Sequence, residues 1–312
     1  MSEPLPLLVL AGSDRRRGSV PRGMRATDML AADKGALTLP NGKALVAEVI
    51  DRFRCSGCFQ DPILIGPRRV FGAISLDCQV VDSEGSLAST LRAAMRSLPG
   101  RLAPNAPVAF TACDILPTAG ELRSLISEAY APVASSVFWS QLVAASPLEM
   151  GASSWKPSYA LKSSQGGLIH VYPGHVVVVR PSAMRFEIMF RLLTLAYHYR
   201  NRPLWQRAVG MTLQGIGALA SEDLSNLVRS HPSLLSLSIP YHCVSSYLRY
   251  RQGRFGVPDL ERTFSRVFLH RDVQHGAGSR PVVFSITRML SLAKDIDTQA
   301  ELDELGQQGE PP

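Results

Sequence analysis

The chain has 312 residues, of which 46% are apolar and 19% charged, a balance that supports a buried core and excludes wholesale disorder. Its formal charge of +7 comes mostly from arginine, which suits a phosphate-rich ligand and leaves nucleic acid open on charge alone. No stretch reaches the roughly 18 uninterrupted apolar residues of a spanning helix, and the run from Pro6 to Ala11 is too short for a signal-peptide core, so a cytoplasmic protein is expected.

The N-terminal half alternates strand-like and helix-like segments, the pattern of a sheet with helices on both faces. Leu7 to Leu10 reads as a buried strand, and Gly12 to Arg25 as a Gly/Arg-rich loop. Leu45, Val49, Ile50 and Phe53 recur at helical spacing and predict a helix over Ala44 to Arg54. Strands follow at Pro62 to Ile65 and Cys78 to Val81, then a helix from Leu87 to Leu98 and a fourth strand from Pro107 to Thr111. Pro117 and Thr118 open a helix that runs to about Ala129.

Beyond Ala131 the chain becomes strand-rich, with strands expected at Val137 to Val143 and His175 to Val179 and a loop over Ser153 to Gly167. Met184 to Tyr199 is apolar around most of its circumference and predicts a buried helix, the start of a helical insertion over 183–247. Phe264 to Leu269 and Pro281 to Ile286 return to strand-like composition, Gln299 to Leu305 reads as a short acidic helix, and 306–312 as a disordered tail. The expected organisation is one domain over 1–305 that carries this insertion.

Three segments hold the candidate chemistry. The first is Leu10-Ala11-Gly12-Ser13-Asp14-Arg15-Arg16-Arg17, directly after a buried strand. A glycine-containing turn there exposes backbone N–H groups that, with nearby cations such as Lys34, can cradle phosphate; an ordinary basic surface loop is the alternative. It matches neither GxxxxGK nor GxGxxG. The second is Asp114, just past the fourth strand, where carboxyl ends of strands face the ligand crevice and an aspartate can hold Mg²⁺; a helix N-cap reads equally well. The third is Lys294-Asp295-Ile296-Asp297-Thr298, whose i, i+2 carboxylates point the same way on extended backbone, and here too capping of the final helix competes.

Other residues carry less. Cys55 and Cys58 form a CxxC pair with no second pair or His pair at zinc-finger spacing, and the odd, scattered five cysteines make no disulfide framework. The seven histidines show no metal spacing. The basic stretches around Arg200 to Arg202 and Arg249 to Arg254 read as solvated helix ends rather than an RNA surface.

Taken in order, these segments resemble the molybdenum-cofactor guanylyltransferase-like branch of the nucleotidyltransferases. Leu10-Ala11-Gly12 is similar to that family's LAG start, Lys34 to Leu45 to its K-x-L-L-x-L-x-(D/N)-G-(K/R)-x-L segment, and Asp295-Ile296-Asp297-Thr298-Gln299-Ala300-Glu301-Leu302 to its D-x-D-T-P-E-D-L ending. The resemblance implies a Rossmann-like, mixed, mostly parallel sheet flanked by helices, of the nucleotide-diphospho-sugar transferase (glycosyltransferase-A) type. It implies transfer of a nucleoside monophosphate from a triphosphate to a small phosphorylated acceptor, with release of pyrophosphate.

On the same resemblance, Leu10, Ala11, Gly12, Ser13, Lys34, Gly85 and Ser86 line the nucleotide, and Lys34, Arg17 and Asp114 carry catalysis. Asp114, Asp297 and Asp295 hold Mg²⁺ or Mn²⁺, and Gly174 with His175 lines the acceptor pocket. The insertion shapes that pocket or a homo-oligomer contact. The chain departs from the family at Ser13, which replaces a second glycine, at Asp14 to Arg17, which replace a Gly-x-Arg pattern, and at Gln299, which replaces proline. Those departures keep open a non-catalytic nucleotide or nucleotide-sugar binding protein. A metal-dependent glycosyltransferase ranks lower, because its D-x-D would stand where this chain has the single Asp114.

Overall fold

The structure, a computed structural model, describes residues 3–12, 30, 33–103, 105–199, 214–217, 219–221, 223, 224, 227, 235–270, 273 and 280–307. Its frame is an eight-stranded sheet built from β1 (Leu5–Leu10), β2 (Phe59–Gly66), β3 (Gln79–Asp82), β4 (Val108–Ala112), β5 (Phe138–Ala144), β6 (Tyr159–Lys162), β7 (Leu168–Val179) and β8 (Val282–Thr287). The order is β3-β2-β1-β4-β7-β5-β8, with β6 paired to β7 off this path. β3, β2, β1 and β4 run parallel, and β7 pairs antiparallel with both β4 and β5. The sheet is thus Rossmann-like and mixed, with helices on its faces, as the alternation of segments predicts.

Leu5, Leu7, Leu8 and Val9 of β1 are all buried, the near-continuous apolar run required of a parallel strand covered on both faces. α1 (Leu45–Cys55) covers the sheet with Leu45, Val46, Val49, Ile50 and Phe53, all buried, while Glu48 and Arg52 pair on its outer side at 2.8 Å. The short α2 (Arg68–Phe71) follows β2. α3 (Leu87–Ser97) is capped by Ser86, whose hydroxyl accepts from Ser89 N, and α4 (Ala119–Ser124) by a reciprocal box between Thr118 and Glu121. α4 runs on into a π-helical turn over Leu125–Tyr130, so the predicted helix is continuous in sequence but changes its hydrogen-bonding pattern midway.

At the junction of β5 and β7 the register shifts between Ser140 and Leu142. Gln141, fully buried, mends the ladder there: oriented to satisfy both groups, its amide donates to Val176 O and its oxygen accepts from Val176 N at 2.9 Å. Gly174 lies alongside, and a Cβ at that position would overlap the Gln141 side chain.

By internal contacts the chain divides into two compact units, one of Met1–Tyr159, His170–Ser182 and Val283–Pro312, the other of Ala160–Ile169 and Ala183–Val282. The first holds the main core around Phe53, Phe71, Ile115, Leu122 and Trp139, whose Nε1 donates to Ser285 Oγ at 2.9 Å. The second packs the helices Phe186–Tyr199, Leu235–Arg251 and Val257–Phe268 around a smaller cluster of Ile188, Leu219, Leu235, Ile239 and Val267.

Sequence and structure part company in four places. The strand expected over Phe264 to Leu269 is instead the end of a helix, Val257–Phe268, with Leu269 as its C-cap: Asp259 Oδ2 accepts from Gly256 N at 3.0 Å and Pro258 sits in the first turn, so helix start signals upstream outweigh a short, partly apolar window. The expected loop over Ser153 to Gly167 contains β6 and the end of a 3₁₀ turn over Gly151–Trp155. The helix Phe186–Tyr199 buries Ile188 and Phe190 but leaves Met189, Leu192 and Leu193 half-exposed, so its apolar circumference does not translate into full burial. The final helix, Gln299–Gln307, continues two residues into the expected tail. Among the described residues, no helix is long and apolar enough to cross a membrane.

Gly66 closes β2 where the chain of β1 passes: Ala11 N donates to Ile65 O at 2.9 Å, and a Cβ at Gly66 would lie 2.7 Å from Ala11 O and 2.8 Å from the Phe71 ring. Backbone on one side and a buried ring on the other leave no room. Gly66→Ala is therefore expected to lower stability by about 1–3 kcal/mol, read as a lower urea midpoint at unchanged slope.

Candidate active site

The strand order reverses between β1 and β4, which are parallel neighbours reached by opposite directions of winding, so their carboxyl ends flank the crevice where an open α/β sheet binds ligands. Past the last paired residues the two chains remain tied, with Cys113 N donating to Leu10 O at 3.2 Å. Gly12 then leaves β1 against the start of α3: a Cβ there would stand 3.1 Å from Thr90 Oγ1 and 3.7 Å from Gly85 O. Leu10, Ala11, Gly12, Gly85 and Ser86 are thereby brought to one rim, with Gly85 in the left-handed region (φ 99°) that favours glycine. Ser13 and Arg17 lie outside the described residues.

Asp114 follows β4 but caps nothing, since Thr118 caps α4. Its carbonyl instead accepts from Ile296 N at 2.9 Å, and Ile115 bridges Asp295 in antiparallel fashion. Main-chain bonds thus staple the C-terminal strap to the end of β4. The strap's own helix is capped by a different pair: Glu301 Oε2 accepts from Asp297 N at 2.8 Å and Thr298 N at 3.0 Å, while Thr298 Oγ1 accepts from Glu301 N at 3.2 Å. With both capping tasks filled, the Asp114 and Asp297 carboxylates are left facing each other. Oxygens of Asp114, Asp295 and Asp297 lie within 4.8 Å of one another.

Two ammonium groups offset this acidic cluster. Lys34 rises from a 3₁₀ turn (Lys34–Ala36) that fits because Gly35 has no side chain; a Cβ there would come 3.2 Å from both Cys113 Sγ and the Phe71 ring. Burial, with the Asp114 charge next, pushes the Cys113 thiol up, so it serves as a neutral wall. Lys34 Nζ contacts Asp297 Oδ1 directly and stands 3.4 Å from Asp114 Oδ2. Lys156, its side chain 9% exposed, contacts the Asp295 carboxylate, donates to Asp295 O at 2.7 Å and Ser153 Oγ at 3.2 Å, and lies 3.6 Å from Glu301 Oε1. The ammonium meets Asp295 at its buried Oδ1, where its charge and its hydrogen bonding both favour the carboxylate. His175 Nε2 stands 3.9 Å from the same oxygen.

Burial is the largest influence on Asp295 and works to raise its pKa, but the charge of His175, the charge and hydrogen bond of Lys156 and the charge of Lys34 together outweigh it and hold the carboxyl below its usual 3.8. The oxygen-only donor set of three carboxylates suits a hard divalent cation and is poorly matched to soft metals.

Of the residues singled out in the sequence, Lys34, Asp114, Asp295, Asp297 and His175 come together here. Gly174 is committed to the sheet against Gln141, one residue before His175. Sequence reasoning passed over Lys156, Ser153 and the inward role of Glu301. Glu301 had a signal, three positions after Thr298 as a capping box demands; Lys156, alone between Trp155 and Pro157, had none. A cavity of about 410 Å³ opens at the opposite, amino ends of β1 to β4, between Arg54, Asp61 and Arg101, and includes none of these residues.

A depressed carboxylate pKa contributes stability that is complete above the unfolded value and is lost as pH falls through the folded one. Asp295→Asn should therefore cost about 3 kcal/mol near pH 7, where it leaves Lys156 buried without its partner, and the gap to the unaltered protein should narrow below about pH 4. Urea midpoints across pH 3–7 measure it; a gap independent of pH would remove Asp295 from the charge network.

No protein-family model and no curated protein matches the chain. In structure it is similar to a hypothetical transferase from Thermus thermophilus, at 17% identity and a TM-score of 0.52, over 96% of this chain and 99% of that one. Lower scores relate it to CMP:2-keto-3-deoxy-manno-octonic acid synthetase complexed with CTP (10% identity, TM-score 0.49, 98% of each chain). They relate it also to 2-C-methyl-D-erythritol 4-phosphate cytidylyltransferase of Francisella tularensis (10% identity, TM-score 0.44, 97% of this chain and 99% of that one). The first of these likenesses establishes the fold along nearly the whole chain, and the chemistry rests on the residues gathered at its crevice.

Proposed function

We propose that this chain is a divalent-cation-dependent nucleotidyltransferase, akin to the guanylyltransferase-like branch that its two ends resemble. It would transfer a nucleoside monophosphate from a triphosphate to a small phosphorylated acceptor. The observation that carries the reading is the convergence of Asp114, Asp295 and Asp297 at the switch point of the sheet, on two segments 180 residues apart in sequence that main-chain bonds join.

The residues present fit Mg²⁺ or Mn²⁺: the donors are all carboxylate oxygens gathered within 4.8 Å of one another, and those of Asp114 and Asp297 are paired with the part-exposed Lys34. Asp114 and Asp297 would hold the ion with Asp295 beside them, and when bound it supplies neutralising charge to the nucleotide oxygens. The rest is positioning. Backbone N–H groups around Gly12 receive phosphate oxygens, and Lys34 and Arg17 offset charge as it develops. An acceptor phosphate oxygen attacks the α-phosphorus in line; the bond to the β-phosphate breaks and pyrophosphate leaves with that electron pair. No side-chain nucleophile takes part. His175, next to Asp295, and Gly174 border the side from which the acceptor would enter.

The test is Mg²⁺-dependent pyrophosphate release, screened over the four nucleoside triphosphates and a panel of sugar phosphates and phosphorylated cofactors. Asp114→Asn should lower it at least about 100-fold while circular dichroism stays unchanged. Equal turnover by the variant would sink the assignment. Thermal stabilisation by a nucleotide without pyrophosphate release under any pairing would place the chain among non-catalytic binding proteins instead.

A further inference from the structure

Resting on that reading, we propose that Lys34 is the resident counter-cation of the carboxylate cluster and that a divalent cation displaces it, releasing its ammonium group toward the nucleotide phosphates. Cation binding and phosphate binding are then coupled through one side chain.

The geometry separates the two lysines. Lys156 is locked: its side chain is 9% exposed, and it is held by the Asp295 carbonyl, Ser153 and Glu301 as well as by the Asp295 carboxylate. Lys34 is 26% exposed, rises from a single 3₁₀ turn, and among the described residues its ion pairs are with Asp297 and Asp114. Those two carboxylates are the ones left without capping duties, so ammonium and divalent cation compete for the same oxygens. A hard cation binds carboxylate oxygen at about 2.1 Å, and a lysine ammonium in contact with the same Asp297 oxygen is repelled by it. With Lys34 in place the Asp114 and Asp297 pair keeps one uncompensated negative charge, and a divalent cation neutralises the pair in full, so the exchange gains charge balance.

Leaving Asp297 costs Lys34 little in connectivity. Its turn is anchored independently, through Leu37 N to Lys34 O at 2.9 Å and the packing of Gly35 on Cys113, so only the four-carbon stem needs to move. Arg69 links the residue before this turn to the loop at Gly85, 3.7 Å from Asp33 Oδ2 and 2.7 Å from Glu84 Oε1, and it is toward the phosphates bound at that loop that the released ammonium would turn. A phosphate-bound Lys34 in turn no longer competes for Asp297, so each ligand favours the other.

The experiment is Mn²⁺ titration, by calorimetry or by loss of the free-ion magnetic-resonance signal, without nucleotide, on the unaltered protein, Lys34→Met and Lys34→Arg. Lys34→Met should bind Mn²⁺ about tenfold more tightly, and Lys34→Arg within about threefold of the unaltered protein. In saturating Mn²⁺, each of the four nucleoside triphosphates that binds should bind Lys34→Met about tenfold more weakly. A merely structural lysine would not shift the two affinities in opposite directions. Should Lys34→Met fail to fold, Lys34→Gln takes its place, judged by circular dichroism.

Unchanged or weaker Mn²⁺ binding by the neutral variant, or no Mn²⁺ binding by either protein, overturns the exchange. Pyrophosphate release assayed in parallel separates the two readings. Turnover with unaltered Mn²⁺ affinity in the variant removes the exchange and keeps the transferase; tighter Mn²⁺ binding without turnover on any triphosphate keeps the exchange and removes the transferase.

Discussion

Everything at the crevice depends on one main-chain contact, the bond from Ile296 N to the Asp114 carbonyl with the bridge it forms between Ile115 and Asp295. Without it, the strap and the end of β4 would bring their carboxylates near each other only against electrostatic repulsion. Backbone hydrogen bonds are insensitive to the charge on the side chains they position, so the fold can hold like charges together at a fixed separation. Lys34 and Lys156 offset part of that repulsion, and a cation bound between the carboxylates would offset the rest.

The division of labour among neighbouring acidic residues follows from the same economy of contacts. Six acidic or hydroxyl side chains stand near helix starts in this region, and each helix start needs one partner. Thr118 with Glu121 serves α4, and Thr298 with Glu301 serves the final helix. Asp114 and Asp297, adjacent to those starts but not used by them, keep their carboxylates for each other and for Lys34. Glu301 does two jobs, since its second oxygen contacts Ser153 and lies 3.6 Å from Lys156, which carries the strap's order into the turn at Gly151–Trp155.

The parallel half of the sheet is legible in the sequence because its central strands, β1 and β4, are near-continuous buried apolar runs and α1 shows a single apolar stripe; the edge strand β3, with no buried residue, is read from its alternation with the helices. Asp114 and the Asp295/Asp297 pair were visible as candidates, but spacing alone left capping and ligation level; only the discovery that Thr118 and Thr298 hold the caps separates them. Lys156 is invisible in the sequence, because its counter-charge Asp295 is 139 residues away and its one near partner, Ser153, does not mark a buried lysine. The second compact unit was least legible. On the helix Leu235–Arg251, Leu237, Tyr241, Val244 and Leu248 are exposed while Leu235 and Ile239 are buried, so apolarity there does not say which face packs. Phe264 to Leu269 is ambiguous for a related reason, since a short run with four apolar residues among six fits a strand or a helix end equally until the start of the element is known.

The same physical picture explains how the fold persists when no family model matches and identity to a structural relative is 17%. What builds the crevice is main-chain hydrogen bonding between β1, β2 and β4, and close approaches at Gly12, Gly35 and Gly66 where any side chain would intrude. The glycines are few, and the strands ask only for apolar residues of suitable size. The side chains with least such freedom are the charged ones whose loss strands a partner: without Lys34 the Asp114 and Asp297 carboxylates face each other unscreened, and without Asp295 the buried Lys156 loses its main counter-charge. The crevice therefore leaves least freedom at these charged positions and at the three glycines, and Lys156 shows that such a position can lie in the middle of the chain as well as at its ends.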